Sequence, residues 1–142
     1  MKFLGVPYPI TYNPRGLLRT QKGADQVKSD LLILLLTNPG ERVMMPDFGT
    51  PLNSLIFNPN DTTLAGQARE MIINSISIWE PRITVENIEV VTQLDNMDRN
   101  DLNANDDLSE RDGTLIIKIN FFDRENIQDI QELRLQLPLS GG

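Results

Sequence analysis

The side chains of this chain that could do chemistry are its carboxylates, because the sequence contains no histidine and no cysteine. Without those residues there is no imidazole base, no thiol nucleophile and no imidazole or thiolate ligand for a metal. Carboxyl groups can act in pairs as acid and base, for example in hydrolysis of a glycosidic bond, which needs two of them about 5–10 Å apart, one held protonated. The candidates are Asp47, Glu70, Glu80 and Glu86. The spacing of these residues does not indicate which two would act as a pair. The single tryptophan, which could stack against a sugar, lies on an apolar stripe. We therefore predict no enzymatic activity and keep a glycoside hydrolase as the alternative.

A different chemistry is offered by Glu80 and Arg82, which flank Pro81. Residues two apart on extended backbone point to the same face, so the two charges can meet. One interpretation is a local ion pair, between these two or with the nearby Arg69 or Glu70. An exposed pair of that kind contributes only about 0–1 kcal/mol. The other interpretation is that Arg82 presents its planar guanidinium to a carboxylate or carbonyl of a partner protein. Spacing alone leaves both open.

The position of these charges follows from a helix and a strand that meet at Pro81. Between residues 62 and 79, mostly apolar residues at helical spacing predict one buried stripe: Leu64, Ala68, Met71, Ile72, Ser75, Ile76 and Trp79. Pro81 cannot continue that helix, and it favours extended backbone at the residue before it. β-Branched residues then predict a strand over residues 82–93. A shorter helix is predicted over residues 24–37, apolar almost all round its second half.

Two further strands are predicted after residue 113. Over residues 114–123, one face of the strand is formed by Leu115, Ile117, Ile119 and Phe121. In the last strand, residues 127–139, the alternating leucines are Leu133, Leu135, Leu137 and Leu139. Three consecutive antiparallel strands make a meander, and the two helices can cover one of its faces, so the fold is predicted to be α+β. Pro138 marks the last strand as an edge whose unpaired backbone could accept a strand from another chain.

Length and charge limit the class of protein further. The chain of 142 residues is predicted to be one domain with four parts: an extended arm (1–20), the helices, the junction and the first strand (21–92), an acidic loop (93–112) and the C-terminal strands (113–139). The net charge is −7, and residues 95–112 carry seven acids against two arginines, a net of −5. This balance argues against nucleic acid or an anionic membrane as a partner. The longest apolar run, residues 31–36, is too short to span a bilayer.

The acidic loop partly imitates a calcium-binding loop over residues 101–112. Oxygen ligands occupy the expected early positions, but Asp106 stands where the sharp turn needs glycine, and Asp112 stands where a bidentate glutamate is needed. We therefore predict a solvated hairpin loop without a metal ion, and no cofactor elsewhere in the chain.

Four short motifs occur in an order that resembles a known family. They are LLRT at residues 17–20, PGERVMMPDFG at residues 39–49, LIF at residues 55–57 and WEPRI at residues 79–83. The set is similar to that of the small baseplate-wedge, or sheath-initiator, proteins of contractile phage tails and of the related type VI secretion baseplate component. The resemblance covers roughly residues 17–139 and places the family's Glu-Pro-Arg motif on Glu80, Pro81 and Arg82. The acidic loop is not part of it.

The resemblance implies a structural protein of the virion, present in several copies in the tail baseplate and assembled in the host cytoplasm. It implies that Glu80, Pro81 and Arg82 contact the helical core bundle of the baseplate wedge. It also implies that the edge of the sheet starts the first ring of tail sheath by exchanging strands, with tube or hub proteins as further partners. The edge residues concerned are Leu133, Leu135, Gln136 and Leu137. Some family members have been labelled lysozymes, so one alternative is a glycoside hydrolase. The other alternative is a transient assembly chaperone.

Overall fold

The computed structural model describes residues 4–57, 62–92 and 114–138. Its elements in chain order are β1 (Leu4–Gly5), β2 (Gln21–Lys22), α1 (Ala24–Leu36), a 3-10 helix (Pro51–Phe57), α2 (Thr62–Trp79), β3 (Ile83–Thr92), β4 (Thr114–Asp123) and β5 (Asn126–Pro138). The predicted α+β fold with a three-stranded antiparallel sheet is confirmed. The acidic loop with its calcium-like segment lies outside the described residues, and so does Leu139.

The helix α2 begins and ends where its apolar stripe predicts. The stripe is buried along its length, with only Met71 and Trp79 half-buried at the margin of the core. Beyond Trp79, the backbone N–H of Glu80 still donates to the carbonyl of Ile76 at 2.8 Å. Pro81 then stops the helix because it has no backbone N–H and its ring clashes with a further turn. The chain therefore enters β3 directly after a buried helix end.

The large sheet has β4 in the middle and β3 and β5 at its two edges. The register places Ile119 between Ile88 of β3 and Leu133 of β5, so apolar residues of all three strands share one face. The two helices cover that face, and together they form a single hydrophobic core. The alternation predicted for β4 is confirmed, because its buried apolar residues are Leu115, Ile117, Ile119 and Phe121.

The strand β5 is an edge strand, as predicted, but only its second half is a regular ladder. Gln131 pairs with Phe121 and Asn126 pairs with Asp123, so residues 127–130 all lie opposite a single residue of β4. This bulge leaves β5 exposed before Gln131. The regular part of the edge therefore begins at Gln131.

The turn between α1 and the 3-10 helix packs against the end of α2. Phe48 meets Trp79 edge to face, with ring centroids 5.2 Å apart, and both side chains pack against the core. Gly49 has φ +126°, and a Cβ there would lie 2.3 Å from the carbonyl oxygen of Thr37, so only glycine fits. Ser75 of α2 donates to the carbonyl of Gly49 at 3.2 Å. These contacts fix the two helices relative to each other.

The predicted extended arm folds back on itself. Leu4 and Gly5 form β1, which pairs with β2 in an antiparallel two-stranded sheet that the sequence pattern does not predict. Tyr12 and Leu18 form an isolated antiparallel bridge further along the arm. Gln26 of α1 donates from its side-chain amide to the carbonyl of Val6 at 3.3 Å, which ties the arm to the body of the protein. Neither helix in the described part of the chain has the length and apolar character needed to cross a membrane.

Candidate functional site

Glu80, Pro81 and Arg82 lie where α2 ends and β3 begins. Glu80 is only 5% exposed, whereas Pro81 is exposed and Arg82 is half-buried. Arg82 donates from Nε and Nη2 to the two carboxylate oxygens of Glu80, which is the bidentate arrangement that suits a planar guanidinium. The local ion pair that the sequence left open is therefore present within the chain.

A third charge completes this cluster. Nη2 of Arg82 also donates to Oδ2 of Asp30 on α1, at 2.7 Å. Asp30 lies 52 residues from Arg82 along the chain, so no spacing rule could have pointed to it. Besides the predicted pairing with Glu80, Arg82 therefore has a partner, Asp30, that was not among the predicted ones. We call Asp30, Glu80 and Arg82 the arginine cluster.

The electrostatics of the arginine cluster centre on Arg82. Its hydrogen bond to Glu80 raises the pKa of Arg82 above an already high value, partial burial opposes this, and Asp30 adds to the rise. Arg82 therefore keeps its charge throughout the working pH range of a protein. Glu80 depends on that charge, because a nearly buried carboxylate without a partner is strongly destabilising.

This arrangement does not favour glycoside hydrolysis. Both oxygens of Glu80 accept hydrogen bonds from Arg82, so neither oxygen is free to act on a substrate. The other candidates, Asp47, Glu70 and Glu86, are exposed. Within residues 4–57, 62–92 and 114–138, no group of acids is placed to hold a metal ion.

An open cavity of about 240 Å³ adjoins the arginine cluster. Its lining includes Asp30, Glu80, Arg42, Phe48 and Trp79. The guanidinium of Arg42 lies 3.8 Å from the centre of the Phe48 ring, a cation–π contact that holds the turn in place. The cavity therefore combines aromatic surface with charged groups.

The second predicted site, on β5, divides into buried side chains and an exposed backbone edge. The side chains of Leu133, Leu135 and Leu137 are 6–7% exposed and belong to the core, so a partner cannot reach them. Gln136 points to the opposite, exposed face and pairs with Ile116 of β4. Because β5 is an edge strand, what it can offer to a partner is main-chain N–H and C=O groups.

A sequence profile of the family described as baseplate wedge protein gp25 matches residues 21–121. The chain belongs to the gp25 baseplate wedge family. A curated member, baseplate wedge protein gp25 of Enterobacteria phage T4, is 28% identical over 118 residues, which cover 83% of this chain and 77% of the relative. The gp25 family consists of structural baseplate proteins of contractile tails.

Two solved structures share the fold of this gp25-family chain. One is a candidate tail lysozyme of Geobacter sulfurreducens, with a TM-score of 0.63 and 24% identity, covering 84% of this chain and 95% of that protein. The other is a chain of the baseplate of the anti-feeding prophage, with a TM-score of 0.60 and 17% identity, covering 97% of this chain and 86% of that one. At these identities the likeness concerns the fold alone. The family match includes the arginine cluster, stops at Phe121 before β5, and begins after the arm.

Proposed function

We propose that this chain is a non-enzymatic baseplate protein that docks on the helical core bundle of the wedge through Glu80, Pro81 and Arg82. We further propose that it starts sheath assembly by pairing β5 with a strand of the first sheath ring. The observation that supports the docking contact is the geometry of the arginine cluster. Buried Glu80 holds the guanidinium in one orientation, while 33% of the Arg82 side chain stays exposed. A partner therefore meets a pre-oriented arginine.

A partner would approach Arg82 on the side of Asp30. The side chain of Asp30 is 32% exposed, whereas that of Glu80 is 6% exposed. A carboxylate or carbonyl of the partner can replace Asp30 as the acceptor of the hydrogen bond from Nη2 of Arg82. Arg82 then makes as many charge-assisted hydrogen bonds as before. The displaced Asp30 still accepts a hydrogen bond from Gln26 at 2.8 Å. Such an exchange keeps Arg82 paired, and the Asp30 carboxylate that loses its cation is the one already one-third exposed to water.

The cavity beside the cluster supports a helix as the docking partner. Its aromatic wall, formed by Phe48 and Trp79, is suited to an apolar side chain. Its lining also includes Arg42 and Asp30, which are suited to polar groups on the same helix. A helix that anchors one apolar residue in such a cavity and presents a carboxylate to Arg82 would satisfy both features.

The docking proposal is tested by incorporation of variants into baseplates. Arg82→Lys keeps the positive charge but cannot form a bidentate hydrogen bond, and Arg82→Ala has neither the charge nor the hydrogen bonds. Both variants should therefore be absent from purified tails. Lys118→Ala is the matched control, because Lys118 forms an exposed ion pair with Glu89 at 3.2 Å on the sheet. It should be incorporated normally. Thermal melts of each purified variant must show a folded protein at the assembly temperature. Normal incorporation of both folded Arg82 variants would refute the proposal.

The sheath proposal rests on the regular half of β5. From Gln131 to Pro138 this edge has the alternation of a fixed register, with buried leucines on one face. A sheath strand added there would form main-chain hydrogen bonds, while the alternating side chains of β5 set which face the new strand presents to the core. The bulge over residues 127–130 interrupts the ladder, so it limits the added strand to the second half of β5.

Proline at position 136 tests the sheath proposal. Gln136→Pro removes a backbone donor without touching a core side chain, and Gln136→Ala keeps the donor and serves as its control. Gln136→Pro should enter baseplates but yield tails without polymerised sheath, as seen by negative-stain microscopy. Gln136→Ala should yield sheathed tails. Sheathed tails from both variants would mean that sheath attaches elsewhere.

A further inference from the structure

The arm exposes an unusual amount of apolar surface. Every second residue from position 4 to position 12 is a large apolar or aromatic residue that is 39–67% exposed: Leu4, Val6, Tyr8, Ile10 and Tyr12. Leu17 and Leu18 extend this surface. These seven make up nearly half of the fifteen exposed large hydrophobic residues in the described part of the chain. A concentrated apolar surface on a soluble domain is typical of a contact site.

The arm also has a charge opposite to that of the rest of the protein. Residues 4–22 contain three cations, Arg15, Arg19 and Lys22, and no acid. The whole chain has a net charge of −7, so the arm is a basic segment on an acidic protein. All three cations are exposed, and within the described residues none of them forms an ion pair. Exposed tyrosines beside arginines are the composition of protein-binding surfaces.

Hydrogen bonds hold this surface in a fixed shape. The carboxamide oxygen of Asn13 accepts from the backbone N–H groups of Arg15 and Leu17, each at 3.0 Å, and so closes the turn of the arm. Gln26 packs against Gly5 so closely that a Cβ there would lie 2.5 Å from its side chain. The surface is therefore organised before any partner arrives, which reduces the entropy lost on binding.

An open concavity of about 550 Å³ lies on the arm. Tyr8 and the two prolines beside it form its apolar part, and Arg19 and Lys22 supply two cations. Asp25, at the start of α1, is the one acid on its margin, so the concavity keeps an excess of positive charge. A carboxylate side chain flanked by apolar residues fits this combination.

We infer that the arm is a second docking surface, and that its partner is an acidic protein segment that also presents apolar side chains. Self-association is disfavoured, because a two-fold contact between arms would bring the cations of one copy against those of the other. The inference does not rest on the proposed roles of Arg82 and β5. It concerns residues that, apart from Lys22 and its neighbours, precede the match to the gp25 family, which begins at residue 21.

Site-specific photo-crosslinking in cells that produce the tails tests this inference. Tyr12 is replaced by p-benzoylphenylalanine in the full chain, and Ile78 on α2, which is equally exposed at 69% against 67%, carries the same group as a control. Crosslinked peptides are identified by mass spectrometry. The Tyr12 position should crosslink to an acid-rich peptide of a different protein, and the Ile78 position should not reach that peptide.

Charge reversal then decides whether the contact is electrostatic. Arg19→Glu combined with Lys22→Glu should lower the crosslink yield from Tyr12 about tenfold. Reversing acids of the identified peptide to lysine should restore the yield in that double variant, a rescue that a structural defect could not produce. The inference is overturned if the Tyr12 position crosslinks to a second copy of this chain, to nucleic acid or to nothing. It is also overturned if charge reversal leaves the yield unchanged.

Discussion

Removal of Arg82 should destabilise the isolated protein measurably, because the arginine compensates a buried charge. In Arg82→Ala, the 5% exposed carboxylate of Glu80 loses both of its bidentate hydrogen bonds. Breaking a fully buried ion pair costs about 3–5 kcal/mol. Arg82 is one-third exposed, so water can reach the space it leaves, and we expect a loss of about 2 kcal/mol. For a chain of this size the loss corresponds to a fall in Tm of about 7 °C.

Two further variants separate the buried charge from other effects. Glu80→Gln combined with Arg82→Ala removes the charge that Arg82 compensates, so the double variant should be about 1 kcal/mol more stable than Arg82→Ala alone. Asp30→Asn removes the exposed partner only and should lower Tm by about 2 °C. Because an asparagine oxygen can still accept from Gln26, this control leaves the link between Gln26 and position 30 in place.

The measurement is thermal unfolding followed by circular dichroism at pH 7 and moderate salt, with urea titration as a second estimate of the free energy of unfolding. The reasoning fails if Arg82→Ala melts within about 1 °C of the unchanged protein. It also fails if Glu80→Gln adds its own loss to that of Arg82→Ala instead of relieving it. Either result would mean that Glu80 is hydrated in solution.

Three other results are expected. Gly49→Ala should lower the free energy of unfolding by about 3 kcal/mol or more, because the added Cβ has no space. Gly66→Ala on α2 should raise it by about 0.5–1 kcal/mol, because the added Cβ would meet no neighbouring side chain or other element within 4 Å. Urea midpoints report both changes. Phe121→Ala, at a fully buried position, should cost about 3–5 kcal/mol, and Ile78→Ala less than about 0.5 kcal/mol, in the same assay. The purified protein should leave the turbidity of a peptidoglycan suspension unchanged; clearance that disappears in Glu80→Gln would contradict this.

Elements with a strong period could be predicted from the sequence nearly to the residue. The stripe from Leu64 to Trp79 and the stop at Pro81 give the bounds of α2, because helix period and proline chemistry act locally. The alternation along β4 likewise gives the bounds of that strand, because one of its faces is buried. The edge position of β5 could also be predicted, since it is last in a meander and carries Pro138.

Features that depend on contacts between distant residues could not be predicted. Asp30 reaches Arg82 only because α1 packs beside the end of α2, and nothing in the residues around Asp30 records that packing. The pairing of β1 with β2 involves two residues in each strand, too few for a period to appear. The exposure of the arm is likewise a property of the folded chain, because the alternation from Leu4 to Tyr12 is also what a half-buried strand would show.

A path of hydrogen bonds joins the two proposed docking surfaces. It runs from the carbonyl of Val6 on the arm through the side chain of Gln26 to Asp30, and from there to Arg82. A partner that displaces Asp30 from Arg82 leaves the bond from Gln26 intact, and the β1–β2 pairing still holds the arm. Along this path, docking changes only the hydrogen bond between Asp30 and Arg82. One such bond is worth about 1 kcal/mol, so coupling of the two affinities through this path is about fivefold at most. The arm and the arginine cluster should thus bind their partners almost independently.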